Sequence, residues 1–317
     1  GTIASRRPAT GATRIRQTTE VGLSNGETRR LEWTIDGSEG LPIHGESHLP
    51  PEGEPVRACA VLVHGWTGSK DRNFLPPLAE ELARGGVVAH RFTLSHAGVE
   101  KDADRITRLE EFERDSNAFC VADVRAVVER IASGELAGAG APMVLVGHSR
   151  GGATVYRCAA ASLGAEVDGD VHSPWPIAPA GVISLSATAT FTRLTDEMRA
   201  ELEEKGFVER PLERAEGGAV RMGRSWYRHH LENPGRDLFA EAVAGVRRPC
   251  LVVHAAADDA VPIEHAARIM SLLEKNPHAP AERADVPDAN HVFNVNGFRL
   301  TPEEASETGG DAYRRMV

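Results

Sequence analysis

From residue 59 onward, short apolar runs alternate with helical patterns, and this alternation constrains the fold more than any other feature of the chain. The runs at 59–63, 87–92, 143–146, 182–185 and 250–253 are mostly apolar, as strands buried on both faces of a parallel sheet require. Between them Val124, Val127, Val128 and Ile131 fall at helical i, i+3, i+4, i+7 spacing, and Leu75, Leu78 and Leu82 do so over a shorter stretch. Parallel strands joined by covering helices imply right-handed crossovers and place reactive groups at the carboxyl ends of the strands. Two earlier strands are expected at 28–35 and 41–48, as a meander at a sheet edge, and a last one at 281–286. The stretch 191–246 breaks the rhythm with only helical or irregular patterns between two strands. The expected organisation is therefore an N-terminal arm at 1–20, an α/β core at 21–190 and 247–317 with a mostly parallel central sheet flanked by helices, and a helical lid inserted at 191–246.

Composition narrows the function classes. A formal net charge of -10 opposes binding to a phosphate backbone, so no nucleic-acid partner is expected. No apolar stretch approaches the roughly 20 residues that cross a bilayer. Arg6 and Arg7 are not followed by the apolar run of a secretory signal. Cys59, Cys120, Cys158 and Cys250 sit singly, without the close pairs of zinc or redox motifs, and read as free thiols. Together these features lead us to expect a cytoplasmic protein. A homo-oligomer is compatible with the sequence.

The run 143–152 reads MVLVGHSRGG, a buried strand followed at once by a G-x-S-x-G turn and then a helical stretch. A serine hydroxyl held at a sharp strand-to-helix turn needs small neighbours, and Gly147 and Gly151 supply them. Ser149 is the candidate nucleophile, and the backbone N–H of Arg150 is a candidate oxyanion donor at the positive end of the following helix. His148 reads as packing beside the turn. The strand at 59–63 ends in His64, Gly65, Trp66, Thr67 and Gly68, where a second donor is expected from the Trp66 N–H. The Trp66 ring could also line an acyl pocket, and His64 reads as a brace for this loop because no second ligand lies at zinc spacing.

After the strand at 250–253 come Asp258 and Asp259. One of these is expected to orient the base; spacing to Val261 and Pro262 favours Asp258, with Asp259 then an N-terminal helix or loop charge, and Asp259 is the alternative. His291 follows the last expected strand and sits where that base belongs, completing the order Ser, Asp, His. Trp226 and Tyr227, with His229 and His230, are candidates either for shaping a substrate pocket or for ordinary packing of the lid.

HGWTGSKDR at 64–72, GHSRGG at 147–152, the loop at 258–262 and NHVFN at 290–294 together resemble the α/β-hydrolase superfamily, over roughly residues 41–298. The spacing and the intervening lid are most similar to lidded bacterial esterases related to cinnamoyl and feruloyl esterases and to serine aminopeptidase-like hydrolases. The resemblance implies an α/β-hydrolase fold, a Ser149–Asp258–His291 triad, an oxyanion hole from Trp66 and Arg150, a small-molecule ester substrate and no cofactor or metal. Amide hydrolysis, acyl transfer with the same triad, and a catalytically silent binding protein are the alternatives. Two departures stand out: Ala255 replaces a glycine common after the histidine of the acid loop, and RFTLSHAGVEKD at 91–102 lacks the Asp- and Gly-rich pattern that many relatives carry there.

Overall fold

The computed structural model describes residues 27–190 and 194–317, so the expected arm at 1–20 lies outside the described residues. Eight strands form one sheet: β1 (Arg29–Asp36), β2 (Pro42–Leu49), β3 (Ala58–Val63), β4 (Val87–Thr93), β5 (Met143–His148), β6 (Gly181–Leu185), β7 (Cys250–Ala255) and β8 (Ala281–Val286). Their order is β1-β2-β4-β3-β5-β6-β7-β8. The β1–β2 and β2–β4 pairs are antiparallel and every later pair is parallel. Each expected strand is present, with ends displaced by a residue or two.

Side-chain alternation along the central strands builds a core on each face of the sheet. Val61 and Val63 of β3 point to one core, and Ala60 and Leu62 to the other. The first face is covered by α3 (Asn117–Ala132), α4 (Arg150–Ala161), α7 (Leu238–Gly245) and α8 (Glu264–Leu273), the second by α1 (Leu75–Arg84) and α9 (Pro302–Met316). The buried stripe of α3 includes Val124, Val127, Val128 and Ile131, the residues whose spacing predicts it, and the Ser116 hydroxyl caps its start by accepting from Phe119 N at 3.2 Å. Asp123 on the same helix accepts from the backbone N–H groups of Ser38 and Ser95, both at 2.8 Å, and so ties two loops to it. A short helix, α2 (Leu109–Arg114), precedes α3.

The segment between β6 and β7 is not wholly helical, contrary to expectation. It holds α5 (Asp196–Lys205), α6 (Arg224–Glu232) and α7, but also an antiparallel hairpin of Phe207–Pro211 with Ala219–Gly223. Each hairpin strand is five residues long and only Val208, Val220 and Met222 are buried hydrophobics within them, too few for period-2 alternation to stand out. The hairpin's connecting turn docks on the loop after β4, where Ile106 N donates to Arg214 O at 3.1 Å and Glu216 N to Ile106 O at 2.8 Å.

Candidate active site

Ser149 stands at the end of β5, one residue before α4, with φ 56° and ψ -120°. This backbone conformation is strained for a residue with a side chain and costs on the order of 1–3 kcal/mol. The turn is possible only because its neighbours are small. A Cβ on Gly147 would lie 2.2 Å from Gly151 O, and one on Gly151 would lie 2.3 Å from Val63 O. The chain therefore holds Ser149 by close backbone packing between β5, α4 and the end of β3.

The carboxyl end of β7 supplies Asp258 and the loop after β8 supplies His291. The His291 Nδ1 lies 2.7 Å from Asp258 Oδ2, while Asp258 Oδ1 accepts from Ala260 N at 3.0 Å and Val261 N at 2.7 Å. Burial pushes the Asp258 carboxyl up, but the hydrogen bonds from His291 and Val261 outweigh it and hold the group below its ordinary value. Asp258 therefore stays ionised at neutral pH and keeps the proton on His291 Nδ1. The remaining nitrogen, Nε2, has no partner among the described residues. Among the described residues no hydrogen bond or ion pair joins Asp259 to His291.

Two cavities meet at these residues, one of about 590 Å³ and one of about 290 Å³, and Ser149, His291, Trp66 and Thr67 line both. The Oγ of Ser149 is not hydrogen-bonded to His291 Nε2, as is common before a substrate is seated. The N–H groups of Trp66 and Arg150 have no acceptor among the described residues. Gly65 lies so close to Ser149 that a Cβ there would meet Ser149 Cβ at 2.9 Å.

Two histidines hold the site from behind. Leu94 N donates to His64 Nε2 at 3.1 Å, which places the His64 proton on Nδ1, 2.8 Å from Gly65 O. Burial holds this imidazole down to about 4, so it is neutral and braces the loop that carries Trp66. His148 Nε2 donates to the His291 carbonyl at 2.8 Å, and its ring meets Phe74 edge-on at 5.0 Å. Burial, with the nearby His291, lowers it to about 3. Among the described residues no group of three or more His, Cys, Asp or Glu is placed to hold a metal.

The chain belongs to the alpha/beta hydrolase family. The profile of that family matches residues 60–301, and the strand order and the turn at Ser149 agree with it. No curated protein of similar sequence was found. Among solved structures the chain is similar to Est1E from Butyrivibrio proteoclasticus, at 16% identity over 90% of this chain and 97% of that one, with a TM-score of 0.56. Est1E has also been solved with ferulic acid bound. The esterase domain of a Rhodothermus marinus protein matches at 21% identity over 91% of this chain and 99% of that one, TM-score 0.53. A dienelactone hydrolase from Anabaena variabilis matches at 13% identity over 92% and 97%, TM-score 0.52. At these identities the likeness is one of fold.

Trp226 and Tyr227, which the sequence offers as substrate contacts, line neither cavity. The reason is packing. Trp226 is 2% exposed, donates from Nε1 to Phe112 O at 2.8 Å, and lies 4.2 Å beneath the Arg150 guanidinium. Tyr227 is fully buried, its hydroxyl 3.9 Å from Met222 Sδ, and it is Met222 that reaches the larger cavity. His229 also turns inward, to the Asp168 carbonyl at 2.8 Å. Arg72, Arg157, Arg210 and Arg214 also line the cavities. Arg72 closes the HGWTGSKDR run without a role assigned to it, and no motif marks the other three, because whether an arginine faces a cavity or bulk water depends on long-range packing. The four cysteines are buried free thiols. No helix among the described residues is long and apolar enough to cross a membrane.

Proposed function

We propose that the protein is a serine hydrolase that cleaves a carboxylic ester through an acyl-enzyme on Ser149. One observation carries the reading: a serine on a strained turn and a histidine already oriented by a buried carboxylate border the same cavities. In this mechanism His291 Nε2 takes the Ser149 Oγ proton as the oxygen attacks the ester carbonyl. The N–H groups of Trp66 and Arg150 receive the oxyanion, and Asp258 stabilises the imidazolium as it forms. Collapse of the tetrahedral intermediate breaks the bond to the alcohol, which leaves with the proton from His291. Water, activated by the same nitrogen, then releases the acid and restores Ser149. The net reaction consumes one ester and one water and yields one acid and one alcohol.

The segment at 191–246 acts in this reading as a lid over the larger cavity, to which it contributes Met198, Arg210 and Met222. These methionines, with Val261, make that cavity suited to an apolar acyl group. Turnover of a short p-nitrophenyl ester by the Ser149→Ala protein tests the assignment. The expected loss is about four orders of magnitude or more; full turnover in that variant would sink it.

A further inference from the structure

The chain is acidic, with 46 Asp and Glu against 36 Lys and Arg, yet no Asp or Glu lines either cavity among the described residues. Their charged lining consists of arginines, with His64 and His148 neutral behind the smaller cavity. In the larger cavity Arg150 and Arg157 are each matched by a buried carboxylate, Asp115 at 2.5 Å and Asp168 at 2.9 Å. Those two charges are cancelled from within the fold, and the third arginine there, Arg210, lies 3.9 Å from Glu201.

The smaller cavity is different. Arg72, just past the loop that carries Trp66, and Arg214, on the turn of the inserted hairpin, both converge on a single residue, Asp104. Arg72 Nη1 donates to the Asp104 carboxylate, whose side chain is 40% exposed. Arg214 Nη1 donates only to the Asp104 backbone carbonyl, at 2.5 Å, and its Nη2 is buried without an acceptor. No carboxylate pairs with Arg214 among the described residues. Burial pulls the Arg214 guanidinium down to about 10, the neighbouring Arg72 pulls it the same way, and the Asp104 charge offsets them only in part. A buried, unpaired donor in a site short of negative charge is costly to keep unless something else meets it.

We infer that the smaller cavity binds an anionic group of the substrate, a carboxylate or phosphate, between Arg72 and Arg214. Guanidinium pairs are suited to both anions because each offers a planar fork of donors. The positively lined cleft of an acidic protein also concentrates anions at its mouth. Since Arg72 belongs to the core and Arg214 to the insertion, the bound anion would bridge the two and hold the hairpin against the core. That the anion is carried on an ester rests on the serine hydrolase reading; the anion site itself does not.

The full chain is tested on two matched pairs. Para-acetoxybenzoate against its methyl ester places the charge on the departing alcohol, and monoethyl adipate against diethyl adipate places it on the acyl group. The expected result is a kcat/KM about tenfold or more higher for the anionic member of one pair, the order expected of a charge-assisted hydrogen bond. Arg214→Gln and Arg72→Gln bring that ratio toward one, and Arg214→Lys restores part of it, with circular dichroism checking that each variant is folded. Calorimetric titration of the Ser149→Ala protein with para-acetoxybenzoate and its methyl ester reads binding without turnover. If both pairs are hydrolysed with the neutral member equal or better, the anion site is overturned and the hydrolase reading survives. If nothing is hydrolysed but the acid binds in preference to its methyl ester, and Arg214→Gln abolishes that preference, the hydrolase reading fails and the anion site stands. Neither turnover nor binding at millimolar concentration overturns both.

Discussion

Two histidines in this protein are each held by carboxylates, and they differ in what their remaining surface meets. His291 has Asp258 at 2.7 Å on Nδ1, a side chain 21% exposed, and an Nε2 without a partner beside Ser149. His48 is 1% exposed and engaged at both nitrogens, with Glu46 at 2.9 Å from Nε2 and Glu80 at 3.0 Å from Nδ1. Arg91 Nε lies 3.0 Å from the same Nε2, and its guanidinium also pairs with Glu46 and Asp71. A carboxylate beside a histidine therefore does not mark a catalytic base. The difference lies in whether one ring nitrogen is left facing a cavity where a proton can be moved. The network around His48 ties β2, β4, α1 and the loop holding Lys70 and Asp71 into one unit, so its charges serve the fold.

The comparison breaks most sharply through His291→Ala. We expect kcat/KM on a p-nitrophenyl ester to fall by about four orders of magnitude or more, with the thermal midpoint close to that of the parent protein. Arg91→Met should do the reverse. It leaves Glu46 buried without its arginine, while Asp71 keeps Lys70 at 2.7 Å and Arg299 at 3.2 Å, and urea unfolding should show a loss of about 3–5 kcal/mol, while the folded fraction still hydrolyses the ester.

A smaller effect separates the two regions by pH. Burial pushes Glu46 and Glu80 up, but the hydrogen bonds from His48, with Arg91 beside Glu46 and Thr28 and Arg30 beside Glu80, outweigh it. Glu46 is held well below the ordinary 4.5 and Glu80 at about 2. Carboxylates depressed in this way stabilise the fold fully above their unfolded value and lose that contribution as pH falls through the folded one. Stability in urea should thus decline from about pH 4.5 toward pH 2, and Glu80→Gln should show a shallower decline from a lower starting point. Equal slopes in the two proteins would remove Glu80 from the account.

The parts of this molecule that were legible in the sequence are those where geometry restricts residue type. Buried strands such as β3 and β5 must be continuously apolar, and the Ser149 turn admits only glycine at positions 147 and 151, where a Cβ would strike backbone at 2.2 and 2.3 Å. Asp258 and His291 could be located because each follows a recognisable strand, and the structure brings them into hydrogen-bond contact. The inserted segment was less legible. Trp226 is amphipathic enough to line a pocket or fill a core, and only the tertiary packing on Arg150 and Phe112 decides between them. The pairing of Arg72 with Arg214 was not legible at all, since charged residues make up 26% of the chain and the two meet across a long stretch of sequence. Their convergence on Asp104 is a property of the fold alone.

Peptide mapping by mass spectrometry after reaction with a fluorophosphonate decides whether Ser149 is the nucleophile. A single phosphonyl adduct is expected on Ser149, formed at a rate that collapses in His291→Ala and not in folded Arg91→Met. An adduct on another residue, or none on a folded protein, contradicts it.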